Sequence, residues 1–233
     1  MPNILDLIFP PKCIFCENFG SLICDTCFKS FRYVGEFFSI SGVALNAPND
    51  CSPVFSYGEA LSVNPNAFVL KVYSHFVYEN KIRECIKFSK YSKRQFAVLR
   101  EITKYAVQEM LSRKVVFPSA YVIPIPLSEE KQKSRGFNQA EIIASVFAKG
   151  YGLEVQNSIL TRKKDTTAQH RLNREMRLKN MEGAFSVLDC VRGHNFILVD
   201  DICTTGATLI ESARSFYAKG AREVVAFTLS RRL

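Results

Sequence analysis

The chain has 233 residues and a formal net charge of +9. Its hydrophobic share of 47% is ordinary for a globular protein, and no stretch approaches the roughly 20 apolar residues that span a bilayer, which excludes a membrane-spanning class. The surplus of basic residues favours a polyanionic partner, either a phosphorylated small molecule or a nucleic acid. The amino-terminal segment lacks the pattern of a secretory signal, so the sequence predicts a cytoplasmic protein.

Four of the eight cysteines are clustered in the segment CIFCENFGSLICDTC, residues 13–27. Two C-x2-C pairs facing each other supply the four sulfur ligands that Zn²⁺ prefers, and they leave no open position for a substrate. The sequence therefore predicts a structural zinc site whose ligands are Cys13, Cys16, Cys24 and Cys27. The isolated cysteines are interpreted as small core residues: Cys51, Cys85, Cys190 and Cys203.

Before the cysteines, the apolar run at residues 5–9 favours a packing segment, with a membrane foothold as the alternative. Residues 35–53 mix Gly, Ser, Asn and Pro and are predicted to form a linker or irregular crossing. We therefore divide the chain into a zinc module with its linker, residues 1–45, and a larger domain, residues 46–233.

The larger domain alternates strands with helices. The predicted elements are a strand at 67–79, for which a helix is the alternative, two helices within 80–114, a strand at 120–126, a helix at 138–150, a strand at 196–201, a helix within 205–221 and a strand at 223–230. This order is typical of an α/β fold in which helices cover both faces of a parallel sheet.

The segment ILVDDICTTGAT, residues 197–208, brings two carboxylates to the end of a buried strand and follows them with small hydroxyl residues around a glycine. In open parallel sheets, ligands bind beyond the carboxyl ends of the strands. Successive backbone N–H groups at a helix start hold a phosphate, and carboxylates accept hydrogen bonds from sugar hydroxyls. A sugar phosphate such as ribose 5-phosphate satisfies both. The alternative is a solvated acidic strand end before an N-capped helix.

This segment resembles the phosphoribosyl pyrophosphate (PRPP) fingerprint of type I phosphoribosyltransferases. The whole chain resembles the ComF family of competence-associated proteins, in which a four-cysteine zinc module precedes a phosphoribosyltransferase-like domain. The resemblance extends to PIPLSEEKQKSRGFNQAE (124–141), DTTAQHRLNREMRLKNMEGAF (165–185), the cysteine quartet and Lys87. It implies a type I phosphoribosyltransferase-like parallel sheet flanked by helices.

The resemblance also implies roles for individual residues. PRPP would be bound by Asp200, Asp201, Cys203, Thr204, Thr205, Gly206, Ala207 and Thr208, with the two aspartates on the ribose hydroxyls and a magnesium ion near them. The pyrophosphate would be bound by Arg135, Gly136 and Lys87. For the segment RGFN the alternative is that Arg135 is a surface residue and Asn138 simply caps a helix.

Residues 162–179 form a basic strip, RKKDTTAQHRLNREMRLK. In type I phosphoribosyltransferases the corresponding loop closes over the reacting centre, which assigns Arg162, Thr166, Gln169 and Arg177 to it. A solvated helix face and a contact for single-stranded DNA are the two alternatives. Elsewhere, Phe88 and Tyr91 stand among lysines, an arrangement that could stack on bases.

Two functional hypotheses follow from the family resemblance. In the first, the protein binds PRPP and magnesium and acts in the uptake of single-stranded DNA during natural transformation. Its partners would be DNA and the uptake machinery at the inner face of the membrane, and it would be cytoplasmic or peripheral to the membrane. In the second, it is an active phosphoribosyltransferase of nucleotide metabolism with an unidentified acceptor. A fold and a fingerprint do not fix the reaction, so catalysis stays open.

Overall fold

A computed structural model describes residues 10–43, 67–89, 96–163 and 181–233. Its helices are α1 (Asp25–Lys29), α2 (Asn80–Phe88), α3 (Phe96–Ser112), α4 (Glu129–Arg135), α5 (Gln139–Tyr151) and α6 (Ala207–Tyr217). Its strands are β1 (Tyr33–Val43), β2 (Ala67–Val77), β3 (Tyr121–Pro124), β4 (Glu154–Val155), β5 (Leu160–Arg162), β6 (Phe185–Val187), β7 (Asn195–Cys203) and β8 (Glu223–Arg231).

Within these ranges, six strands form one sheet in the order β1-β2-β8-β7-β3-β4. Every neighbouring pair from β2 to β4 is parallel, and β1 joins the edge antiparallel to β2. The strands β5 and β6 form a separate antiparallel pair. The predicted α/β fold with a parallel-dominated sheet is confirmed.

The central strands are buried on both faces, because their side chains alternate between two cores. On one face, the Phe227 ring stacks on Phe147 of α5 with centroids 4.6 Å apart. On the other, Phe196 packs against Phe216 of α6, also at 4.6 Å. A strand covered on both sides needs no polar positions, which explains the continuous apolar run of residues 196–199.

The predicted linker is wrong over residues 35–43, which belong to β1. Gly35, at a φ of 60°, lies where the register with β2 shifts. Beyond it, side chains alternate: the Phe37 ring contacts Tyr73 on one face, and Ile40 packs against the core of the other. An edge strand leaves much of its surface in water, so its serine and glycine content hides this alternation.

The segment 10–31, here called the cysteine module, packs directly on the main core. Its Phe28 ring stacks on Tyr105 of α3 at 4.2 Å, and its Phe31 ring meets Phe76 of β2 edge-on at 5.6 Å. Module and sheet thus share one hydrophobic cluster. The predicted boundary between residues 45 and 46 lies outside the described residues and stays a prediction.

Candidate functional site

A cavity of about 160 Å³ lies beyond the carboxyl ends of β3 and β7. We call it the Asp200 cavity. Its lining residues are Ile125, Pro126, Leu127, Lys131, Arg135, Asn138, Gln139, Ala140, Arg162, Asp200, Asp201 and Thr208. Segments that are far apart in the sequence therefore meet where a parallel sheet binds its ligands.

The acidic wall of the cavity comes from β7. Asp200 and Asp201 are half-buried, and an oxygen of the Asp200 carboxylate accepts a hydrogen bond from the Asp201 amide at 2.8 Å. The Ser230 hydroxyl donates to the Asp201 carbonyl at 3.3 Å, which ties this strand to β8. Asp200 thus lies on backbone paired with Thr228 of β8, and the Asp201 carbonyl is held by Ser230 of the same strand.

The turn after β7 requires its glycine for two reasons. Gly206 has a φ of 76°, in the left-handed region that side chains disfavour. A Cβ at this position would also lie 2.7 Å from the Cδ1 of Ile40, so β1 closes directly over the turn. Helix α6 then begins at Ala207, whose amide donates to the Thr205 hydroxyl at 3.4 Å. Thr208, in the first turn of α6, lines the cavity.

Not all of the predicted fingerprint faces the cavity. Cys203 is 4% exposed within the apolar core, and burial raises the pKa of its thiol to about 11. It is not among the lining residues, and neither are Thr204, Thr205 and Gly206. Thr204 is exposed, Thr205 is half-buried and Gly206 is buried under β1.

The basic wall of the cavity comes from α4 and from the turn that follows it. Gly136 ends α4 at a φ of 72°, and Asn138 then caps α5 by accepting a hydrogen bond from the Ala140 amide. The side chain of Asn138 also donates to the Ile125 carbonyl at 2.9 Å. Asn138 is thus a helix cap, as the alternative interpretation of RGFN states, and Arg135 lines the cavity, while its contact with pyrophosphate stays a prediction.

Two further cations complete that wall, and the sequence analysis assigned only one of them. Arg162, at the end of β5, lines the cavity with its guanidinium 5.6 Å from the Phe185 ring. Lys131, one helical turn before Arg135, was missed, although this spacing places both side chains on one face of α4. The guanidinium of Arg135 also donates to the Gln139 amide oxygen at 3.4 Å, a contact that orients it.

Other predicted residues lie elsewhere. Lys87, on α2, lines a different hollow beside the cysteine module. The loop residues Thr166, Gln169 and Arg177 lie outside the described residues. The structure thus brings Arg135 and Arg162 together with Asp200, Asp201 and Thr208, whereas Lys87 does not line this cavity.

The four clustered cysteines converge on one point. Their sulfur atoms lie within 4.8 Å of one another, and those of Cys16 and Cys24 are 3.4 Å apart. Tetrahedral zinc–thiolate sites require sulfur separations of about 3.8 Å, so this cluster could hold a metal such as zinc. Burial acts to raise the pKa of Cys13, but hydrogen bonds from backbone amides, that of Cys24 first, outweigh it and lower the pKa to about 6.

The isolated cysteines differ from one another. Cys85 and Cys203 are buried, as predicted. For Cys190 the prediction of a core residue is wrong: it is exposed in a single 3₁₀ turn, Asp189–Val191, in which Val191 takes the buried position. Cys51 lies outside the described residues.

Comparison with known proteins agrees with this geometry. Residues 133–233 match the family described as the phosphoribosyl transferase domain. Competence protein F of Haemophilus influenzae is 27% identical over 94% of this chain and 96% of its own length. Competence protein ComFC of Bacillus subtilis is 35% identical over 50% of this chain and 47% of its own. Over most of its length, the chain is therefore similar to a competence protein of the ComF type.

Other similarities are partial. The DNA utilization protein YhgH of Salmonella typhi is 29% identical over 64% of this chain, and the match spans 65% of the length of that relative. A solved structure described as the allosteric regulatory enzyme of purine biosynthesis has a TM-score of 0.42 and 16% identity, covering 62% of this chain and 30% of that one. Likeness at this level carries no argument about function. In the described part of the chain, no helix has the length and apolar character to traverse a bilayer.

Proposed function

We propose that this protein binds PRPP with magnesium in the Asp200 cavity and acts in the handling of single-stranded DNA during natural transformation. The observation that carries the PRPP proposal is that two carboxylates and three cations line one cavity. The carboxylates are those of Asp200 and Asp201, and the cations are Lys131, Arg135 and Arg162.

The chemistry of the two walls matches the two ends of PRPP. Carboxylates accept hydrogen bonds from the vicinal hydroxyls of ribose, whereas guanidinium groups bind phosphate oxygens through a fixed fork of donors. The first turn of α6, with Thr208 and its backbone amides, offers donors to the 5-phosphate. The cations of α4 and β5 would then hold the pyrophosphate.

Magnesium fits this donor set. It prefers oxygen ligands, usually keeps several waters, and takes one or two carboxylates together with phosphate oxygens. Asp200 and Asp201 are the carboxylates that the cavity offers for this purpose. When bound, the ion would neutralise part of the charge of the pyrophosphate, while the protein residues orient the ribose and exclude water.

The proposed DNA role rests on the relatives and on charge. Two relatives, one similar over most of this chain and one over half of it, are named competence proteins. A third, similar over part of the chain, is named a DNA utilization protein. A net charge of +9 favours binding to a polyanion through the release of its counterions.

Calorimetry with magnesium and PRPP tests the ligand. We expect Asp200→Asn/Asp201→Asn to weaken binding by at least about tenfold, because two charge-assisted hydrogen bonds are lost. The matched control is Asp189→Asn/Glu223→Gln, which removes two exposed acids that do not line the cavity and should bind PRPP as the parent does. If the aspartate variant bound PRPP as tightly as the parent, the Asp200 cavity would not be the PRPP site.

Turnover is a separate measurement. Pyrophosphate release that depends on an added acceptor would identify an active transferase, the second hypothesis of the sequence analysis. Tight binding with no release would make PRPP a regulatory ligand of the DNA-handling protein.

A further inference from the structure

A second concave surface lies between the cysteine module and α2. It is a hollow of about 430 Å³ lined by Ile14, Phe15, Glu84, Lys87 and Phe88, here called the α2 hollow. It is larger than the Asp200 cavity, and its lining is distinct from that of the cavity.

The α2 hollow exposes apolar side chains that a folded chain ordinarily buries. Phe88, at the end of α2, is 49% exposed, and Ile14, between the first two cysteines, is 37% exposed. The exposed amine of Lys87 stands beside them. Exposed apolar surface next to cations marks an interaction site.

Helix α2 and the cysteine module are in direct contact. The Lys81 amine of α2 donates to the Ser30 hydroxyl at 2.9 Å and approaches the Cys27 sulfur at 3.7 Å. The same amine lies 5.2 Å from the centre of the Phe15 ring. These contacts tie the first turn of α2 to the cysteine module.

The cysteine module carries a second exposed aromatic beside a cation. Phe19 is 66% exposed, and the Lys12 amine lies 4.8 Å from the centre of its ring. In α2, the cations Lys81, Arg83 and Lys87 outnumber Glu84. The cysteine module and α2 thus each carry an exposed aromatic ring and positive charge.

These features favour one class of partner. Single-stranded nucleic acid needs cations along its backbone and aromatic faces on which its bases stack, and stacking tolerates any sequence. A duplex hides those faces inside its base stack. We propose that the α2 hollow, with Phe88 as the stacking platform and Lys87 as a phosphate contact, is the surface on which this protein binds single-stranded DNA. This inference rests on the proposed DNA role and assigns that role to a place other than the basic strip.

The absence of tryptophan from the sequence makes the contact directly measurable. Phe88→Trp would give the chain a single tryptophan on the predicted platform. Titration with an oligothymidine of about 20 nucleotides should quench its fluorescence in a saturable manner, because a stacked base quenches an indole. The control is Val116→Trp, at a 77% exposed position after α3, whose fluorescence should not respond.

Fluorescence anisotropy of the labelled oligonucleotide measures whether DNA binds at all. Phe88→Ala should weaken that binding about tenfold, and Lys87→Gln should lower the slope of log K against log salt by about 0.7. Lys149→Gln, an exposed lysine of α5, is the matched control and should change neither quantity.

The outcomes separate the surface from the function. The parent could bind the oligonucleotide while Phe88→Trp shows no quenching or Phe88→Ala binds with full affinity. Either result would show that the α2 hollow is not the DNA-binding surface and would leave the proposed DNA role intact. No binding by the parent would overturn both, while the PRPP proposal would still be decided by calorimetry.

Discussion

The cysteine module and the Asp200 cavity are built in opposite ways. The module takes its four sulfur atoms from 15 consecutive residues and braces them with aromatic rings against α3 and β2. The cavity collects its charged side chains from α4, β5 and β7 and keeps them around a space. Four sulfur ligands leave a bound metal no open coordination position. The cavity, in contrast, leaves room for a ligand to bind and dissociate.

Metal removal should produce the largest difference between the two regions. Structural zinc contributes about 10–16 kcal/mol of apparent binding free energy, and that energy is folding energy. We expect Cys13→Ser to lose stoichiometric zinc and to unfold the module together with its contacts to Tyr105 and Phe76. Metal analysis and thermal unfolding check this, with Cys190→Ser, an exposed thiol outside the cluster, as the control.

A metal-free protein that retains its full melting temperature would contradict the zinc assignment. Hydrogen exchange would sharpen the comparison, because protection should fall first in residues 10–31 and later in β7.

A pH dependence should arise where β2 packs on α3. His75 is fully buried, its Nδ1 has no hydrogen-bond partner within the described ranges, and burial lowers its pKa from 6.5 to about 3. The Glu109 carboxylate lies 3.2 Å from Nε2 and also pairs with Arg113, which offsets its attraction for a proton on the imidazole. The folded state therefore holds His75 neutral.

Between pH 6.5 and 3, the unfolded chain binds a proton on His75 that the folded chain does not bind. The contribution of His75 to the free energy of unfolding is therefore fully present above pH 6.5 and decreases as the pH falls toward 3. At about pH 5 the loss is on the order of 2 kcal/mol. Urea unfolding at about pH 7 and pH 5 measures it. His75→Gln should reduce this difference, and an unchanged difference in that variant would assign it to other groups.

A smaller effect is expected at the turn under β1. Gly206→Ala places a Cβ in the left-handed region and against Ile40, at a cost of about 1–2 kcal/mol for the backbone alone. Adding Ile40→Val removes the contacting Cδ1, so the double variant should regain the steric part of the loss and not the backbone part. Chemical denaturation of both variants separates the two, and full stability of Gly206→Ala would show that neither constraint operates.

The same contrast explains how much could be predicted from the sequence. The cysteine cluster and the β7 turn are contiguous, so their spacing was sufficient to predict them. The buried strands were predicted because β7 and β8 are covered on both faces and read as apolar runs. The edge strand β1 was missed, since an edge exposes its serines and its alternation is weak.

The basic wall could be predicted only in part. Arg135 and Arg162 were assigned through the family resemblance, whereas Lys131 comes from α4, a short helix that the apolar pattern does not reveal because none of its residues is buried. Lys87 was grouped with them by the same resemblance, but α2 carries it to the cysteine module. Which side chains share a cavity is decided by how helices pack on the sheet, and that information is not local in the sequence.

The most direct test of the two-wall account is calorimetry with the two halves of PRPP, magnesium pyrophosphate and ribose 5-phosphate, titrated separately. We expect Arg135→Gln to weaken pyrophosphate binding by about tenfold, as for a lost charge-assisted contact, and to leave ribose 5-phosphate nearly unchanged. Asp201→Asn should weaken ribose 5-phosphate more than pyrophosphate. If each variant weakened both halves equally, or neither, the division of the Asp200 cavity into an acidic sugar wall and a basic pyrophosphate wall would be wrong.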